Sequence, residues 1–119
     1  MGRRLREWNR EIRLVAVQPD SPFHGIEGVK HLASAMVPRI YQPALADRVL
    51  TVSTEEAEEM ARRLEREEGL ASGASGGANV VAALRVLREA GADATVVTLI
   101  PDGGEARLAA RLPRWRAAP

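Results

Sequence analysis

The sequence predicts an α/β fold of three layers, a mostly parallel sheet flanked by helices, and only about half of a doubly wound unit. Short β-branched runs at 13–17, 47–52 and 95–100 alternate with longer stretches of helical apolar spacing, the order that builds parallel sheets through right-handed crossovers. The first long helical stretch carries one apolar stripe on an otherwise charged surface, and the second, at 80–87, has the mixed density of a mostly buried helix. Three strands and two long helices leave an open sheet with faces and edges still to be covered. Residues 1–119 are therefore read as a single, partial α/β domain.

Leu5 and Trp8 lie three apart among arginines, a short N-terminal helix too brief to be stable by itself. The apolar continuity of 13–17 predicts a strand buried on both faces. Gln18-Pro19-Asp20-Ser21-Pro22 is expected to end it in a turn, because proline and aspartate favour turns over further pairing. From Phe23 to Pro43 glycines and prolines break every pattern, apart from one helical turn near Lys30 to Ala35; stretches of this length without regular structure usually serve function. A second strand follows at 47–52. Ser53-Thr54-Glu55-Glu56 reads as a capping box with Ser53 at the N-cap and Glu56 at N3. Ala57, Met60, Ala61 and Leu64 then form an apolar stripe, with Glu58–Arg62 and Glu59–Arg63 as i,i+4 pairs and Gly69 at C′. A second long helix runs from the glycine turn at 73–79 to about Ala90-Gly91. Residues 95–100 are expected to be a buried third strand, stopped by Pro101-Asp102-Gly103-Gly104. The tail keeps helical spacing at Leu108 and Leu112.

Composition narrows the chemistry. The chain has 119 residues, a net charge of +1 and no cysteine, which leaves no case for nucleic-acid or anionic-membrane binding, disulfides, or a thiolate nucleophile. No apolar run approaches a membrane span, and a cytoplasmic protein is expected. Lys30 is the one lysine among 17 basic residues. His24 and His31 lack further ligands at metal-site spacing and read as loop histidines; no metal site is expected. The glutamates at 55–59 read as a solvated helix face near the positive end of the helix.

Gly73-Ala74-Ser75-Gly76-Gly77-Ala78-Asn79 runs directly into the second long helix. Its glycines allow close backbone approach, and a helix starting on Gly-Gly would present unpaired N–H groups and the Ser75 hydroxyl at its positive end. The turn lacks the Lys-Ser/Thr of a phosphate loop and the spacing of the dinucleotide fingerprint. A plain strand-to-helix connection and an anion cradle both remain open on these residues.

Five stretches, in order and spacing, resemble one family: residues 12–22 (Ile-Arg-Leu-Val-Ala-Val-Gln-Pro-Asp-Ser-Pro), His24-Gly25-Ile26-Glu27-Gly28, Val52-Ser53-Thr54-Glu55-Glu56-Ala57, residues 67–79, and Leu99-Ile100-Pro101-Asp102-Gly103-Gly104-Glu105. Together they are similar to the C-terminal part of cysteine synthase (O-acetylserine sulfhydrylase), a pyridoxal-phosphate enzyme of fold type II. The resemblance implies that Ser75 meets the pyridine nitrogen of the cofactor, where a neutral hydroxyl does not enforce protonation. Gly73 and Gly76 then let the backbone approach the ring, with Pro101 and Asp102 close by. Gly25, Ile26, Glu27 and Gly28 resemble the substrate-side loop. The implied reaction is β-replacement on an activated serine to form cysteine, and the implied full-length assembly is a homodimer acting on a small amino-acid substrate. The family's Schiff-base lysine and phosphate-holding loop lie upstream of the matched region, and Lys30 does not match the catalytic position; no catalytic residue is assigned. Residues 106–119 depart from the family pattern. The expectation is a cysteine-synthase-like segment, inactive by itself, which needs the missing N-terminal half or a partner subunit. The alternative is a non-catalytic α/β half-domain that binds an anion or completes a sheet with a partner chain.

Overall fold

A computed structural model describes residues 1–104. Among them the order is α1 (Gly2–Trp8), β1 (Val15–Pro19), a 3-10 turn (Pro43–Leu45), β2 (Arg48–Val52), α2 (Thr54–Glu68) and α3 (Ala74–Ala90). The α/β class and the parallel pairing are as expected: β1 and β2 run parallel, in register from Val15 opposite Arg48 to Pro19 opposite Val52.

The lower end of this sheet is tied by one carboxylate. Asp47 Oδ2 accepts from Leu14 N at 2.7 Å and from the Arg6 guanidinium at 2.5 Å, which joins α1 to the start of both strands. Those two donors, the Leu14 amide first, hold the Asp47 carboxyl below its usual range. Gly2 lies against Leu14 and Leu45. Trp8 is exposed.

Two features of β1 differ from the expectation. The strand does not stop at Val17: Gln18 and Pro19 stay paired, and Asp20 N donates to Val52 O at 3.1 Å. Pro19 is tolerated at the strand's last position because the next amide makes the ladder bond that proline cannot. Its residues 15–18 are also half-buried rather than fully buried, since β2 is its one neighbouring strand among the described residues. β2 shows one-face burial, with Leu50 and Val52 inward and Val49 and Thr51 outward, the period-2 pattern of a strand covered on one side.

α2 forms as its sequence dictates. Ser53 Oγ accepts from Glu56 N at 3.2 Å while Glu56 Oε2 accepts from Ser53 N at 3.1 Å, so two of the orphan donors at the helix start are satisfied reciprocally. Gly69 closes the helix at φ 68°, a left-handed conformation that favours glycine. Glu58 pairs with Arg62 at 3.6 Å, but Glu59 does not take Arg63 in the hydrogen-bond pattern. Arg63 instead makes a two-pronged bond to Glu67, and Glu59 receives Arg62 Nε at 3.0 Å. The forked guanidinium selects the carboxylate that it can meet with both arms.

α2 and α3 pack closely because both present small residues. Ala57, Ala61, Ala78 and Ala82 are buried between them and the sheet, joined by Leu50, Val52 and Ile26. Gly77 marks the closest approach: a Cβ there would lie 2.0 Å from Ala57 O. Arg85 spans the outside of this layer, donating to Thr51 O at 2.7 Å and to Glu56 at 2.5 Å.

The expected third strand does not form. Residues 95–100 carry no ladder, and Val97 and Leu99 are exposed. The segment lies along α3 instead, where Leu99 O accepts from Asn79 Nδ2 at 2.9 Å. β-branched composition fits a sheet, but a strand exists only where a neighbour supplies the complementary backbone groups. The expected turn near Lys30 to Ala35 is a single turn in which His31 O accepts from Ser34 N and Ala35 N, both at 3.1 Å. No helix among the described residues is long and apolar enough to cross a membrane. The helical spacing at Leu108 and Leu112, like the rest of the divergent tail, lies outside the described residues.

Candidate functional site

The N-terminus of α3 and the chain that returns past it make one wall of a cleft of about 490 Å³. Gly73 is the N-cap and Ala74 the first helical residue, so the helix does not start on Gly76-Gly77. Those two glycines are buried inside its first turns. A Cβ on Gly76 would lie 2.2 Å from Ser72 Oγ and 3.1 Å from Ile100 Cγ2. Ser72 is itself buried, and its hydroxyl donates to Gly73 O at 2.8 Å. The glycines let α3 sink against this neighbour and against α2, placing Ser75 at the rim.

One donor at this helix end, the N-cap amide of Gly73, is taken by a side chain. Asp102 reaches it from the returning segment. Its Oδ1 accepts from Gly73 N at 2.7 Å and from Gly104 N at 2.9 Å; its Oδ2 accepts from Ser75 Oγ at 3.1 Å. The Gly104 amide first, then the Gly73 amide and the Ser75 hydroxyl, hold the Asp102 carboxyl below its usual range, outweighing the effect of partial burial. A carboxylate at the positive end of a helix is favoured for the same reason. Gly104, at φ 70°, turns the chain against Ser72, where a Cβ would come within 3.1 Å of three Ser72 backbone atoms.

The facing wall is the loop 25–28 together with α2. Gly25 N donates to Thr54 Oγ1 at 2.9 Å, and Ile26 is 1% exposed in the core. The first ties the start of the loop to the first residue of α2 and the second anchors it in the core. Glu27 then faces the cleft, and Gly28 follows at φ 80° with open space around it. Of the residues singled out in the sequence, Gly25, Glu27, Gly73, Ser75 and Asp102 line one cleft; Ile26, Gly28, Gly76 and Pro101 do not. Ile26 and Gly76 act from beneath by packing.

Glu58, Ala61, Arg62, Ala74 and Gly104 also line the cleft and were not anticipated. The first three had a readable signal, since positions i, i+3 and i+4 share one face of a helix. Arg62 is the guanidinium of a rim that also carries the carboxylates of Glu27, Glu58 and Asp102, and it pairs with Glu58 and Glu59. Lys30 is exposed and is not part of the lining. His31 Nδ1 lies 2.8 Å from Ser34 Oγ, a local loop contact. No group of three or more His, Asp or Glu side chains among the described residues is placed to hold a metal ion.

Comparison with known proteins agrees with this architecture. A cysteine synthase of Aquifex aeolicus (strain VF5) is 41% identical over 114 residues, covering 93% of this chain and 35% of the relative. Cysteine synthase B of Pseudomonas aeruginosa is 37% identical over 105 residues, covering 88% of this chain and 34% of the relative. The crystal structure of O-acetylserine dependent cystathionine β-synthase from Helicobacter pylori superposes with a TM-score of 0.80 at 30% identity, over 91% of this chain and 37% of that one. The chain thus spans about a third of the length of the relatives it matches. The family model described as "Pyridoxal-phosphate dependent enzyme" matches residues 1–102, and with most of its length inside that match the chain belongs to the pyridoxal-phosphate dependent enzymes.

Proposed function

We propose that this chain supplies one wall of a pyridoxal-phosphate site in a cysteine-synthase-like enzyme, and that it works only together with a polypeptide carrying the remaining walls. The observation that carries the reading is the rim at Ser75: a half-buried hydroxyl on the first turn of α3, beside a cleft, with glycines on either side. The residues present fit one edge of a planar heterocycle. Ser75 Oγ faces the ring nitrogen. Gly73 keeps its side free of a Cβ that would collide with Asp102 Oδ1 at 2.8 Å, and Gly76 keeps the helix seated on Ser72. Asp102, with Pro101 before it, closes the edge from the returning segment.

When bound, pyridoxal phosphate supplies the electron sink for β-elimination and replacement on an amino acid. The chain's own residues orient and enclose. Loop 25–28 faces the substrate side, held at Gly25 and Ile26 and free to re-aim Glu27 about Gly28. Lys30 is not among the residues that line the cleft, so the lysine and the phosphate-holding loop are supplied from outside residues 1–119. The substrate class that fits is an activated serine whose β-substituent leaves and is replaced by sulfide.

The test is complementation. The chain is co-expressed with the N-terminal two-thirds of the Aquifex aeolicus cysteine synthase, and the purified pair is assayed for cofactor absorbance and cysteine formation. The pair is expected to show both, and the chain alone neither. Ser75→Ala is expected to lower turnover of the pair by about tenfold, the equivalent of one hydrogen bond of about 1.4 kcal/mol. A borohydride-trapped adduct on Lys30 in the chain alone would overturn the assignment of the amine to a partner. A non-catalytic role, in which the chain only completes a sheet, is favoured by one observation: the exposed strand-like segment 95–100. A complex that forms but carries no cofactor would select it.

A further inference from the structure

The two walls of the cleft come from parts of the chain far apart in sequence, yet both are tied to the first turn of α2. On one side Thr54, the first residue of that helix, holds Gly25. Its Oγ1 accepts from Gly25 N at 2.9 Å, and its methyl lies so close that a Cβ on Gly25 would come within 3.0 Å of Cγ2. Hydroxyl and methyl together fix the start of the loop against the helix. On the other side Arg85 of α3 donates to Thr51 O at 2.7 Å and to Glu56 Oε1 at 2.5 Å. This ties the helix that carries Ser75 to residues on either side of Thr54. The capping box between Ser53 and Glu56 closes the turn between them. Glu27 thus stands two residues beyond a held point and one before Gly28, whose φ of 80° and open surroundings give the loop a pivot.

We infer that Thr54 is a positioning residue for the substrate side of the cleft, holding loop 25–28, and with it Glu27, in fixed relation to the helix that carries Ser75. This rests on the reading that the cleft is one wall of a β-replacement site and that the loop faces the substrate. A hydroxyl at this position accepts the Gly25 amide; a valine fills the same space and offers no acceptor, which leaves that amide to water. Thr54 is not part of the cleft lining, so its loss is felt in binding rather than in chemistry. A loop that samples several positions presents the binding-competent one for only part of the time, and apparent affinity falls by that fraction.

The test uses the chain paired with the N-terminal two-thirds of the Aquifex aeolicus cysteine synthase, assayed with O-acetylserine and sulfide. Thr54→Val is expected to raise KM for O-acetylserine about fivefold, the worth of one amide hydrogen bond, and to leave kcat within about twofold of the parent. Thr54→Ser, which keeps the acceptor, is expected to restore the parent KM. In the chain alone, hydrogen exchange followed by NMR is expected to show the Gly25 amide exchanging about fivefold faster in Thr54→Val and at the parent rate in Thr54→Ser. The Ala57 amide, which donates to Ser53 O at 3.1 Å within the same turn, should keep its rate in both. Should Thr54→Val fail to fold, Thr54→Ala takes its place with the same expectation, since alanine suits a helix. Ala83→Gly weakens α3 away from the loop and is expected to leave KM unchanged. An active Thr54→Val pair with the parent KM overturns the inference and leaves the cofactor wall standing; so does a Thr54→Ser pair as impaired as Thr54→Val, a KM raised equally by Ala83→Gly, or an unchanged Gly25 exchange rate. A pair that is inactive with the parent chain overturns both.

Discussion

Replacing Gly77 by alanine tests the packing on which the cleft wall depends. A Cβ at this position would lie 2.0 Å from Ala57 O, 3.0 Å from Ala57 C and 3.0 Å from Ala61 N. All three are backbone atoms of α2, so no rotamer change relieves the contact. Non-bonded atoms settle at about 3.5 Å or more, which requires the two helices to part by roughly 1.5 Å and loosens the layer of Ala57, Ala61, Ala78 and Ala82. Overpacking of this kind costs about 1–3 kcal/mol, and a rigid neighbour puts the cost at about 3. The gain in helix propensity on going from glycine to alanine offsets about 1 kcal/mol. The expected net loss is about 2 kcal/mol, a large share of the roughly 5–15 kcal/mol that holds a domain together. In a urea titration followed by far-UV circular dichroism, with a slope of about 2 kcal/mol per molar, the midpoint should fall by about 1 M. Ala83→Gly, in the interior of the same helix, isolates the propensity contribution at about 1 kcal/mol. A Gly77→Ala midpoint equal to or above that of the parent chain would refute the close contact of α2 with α3.

Two further outcomes follow from the hydrogen bonds. Ser53→Ala removes the side-chain half of the capping box and should cost about 1 kcal/mol, read as a lower urea midpoint with an unchanged slope. Asp102 and Glu56 both have carboxyl groups held below their usual range, Glu56 chiefly by the Ser53 amide and then by Arg85. A depressed folded-state pKa contributes stability that is present above the unfolded value of about 4 and is lost as pH falls through the folded value. The urea midpoint should therefore hold level from neutral pH to about 5 and drop below about 4, less steeply in Asp102→Asn. A midpoint that rises on acidification would contradict these assignments.

The parts of the fold legible in the sequence are those decided within one turn of chain. Ser53, Glu56 and Gly69 define α2 because each acts on backbone three to five residues away, and the structure places all three as read. Gly91 ends α3 for the same reason. What was misread depends on partners distant in sequence. Residues 95–100 have the composition of a strand, yet pairing is a property of two segments, and here the second is absent among the described residues. Gln18 and Pro19 look like a turn locally and are held extended by Val52, more than thirty residues away. The site divides in the same way. Ser75 and its glycines were visible as a motif, and Gly25 and Glu27 were visible as a loop. The bond from Ser75 to Asp102 joins residues 27 apart and left no local trace.

That long-range bond also sets when the cleft wall can exist. The loop closed between Gly73 and Asp102 spans 29 residues, and its closure entropy, on the order of a few kcal/mol, must be met before the Ser75 hydroxyl acquires its orientation. During synthesis α2 and α3 can dock as soon as both have emerged, since their contacts are local. Ser75 is set only after residues 102–104 have emerged and folded back. The wall is thus assembled late, from the C-terminal side, and a lesion in the returning segment would blunt the site while leaving the helix that carries Ser75 intact.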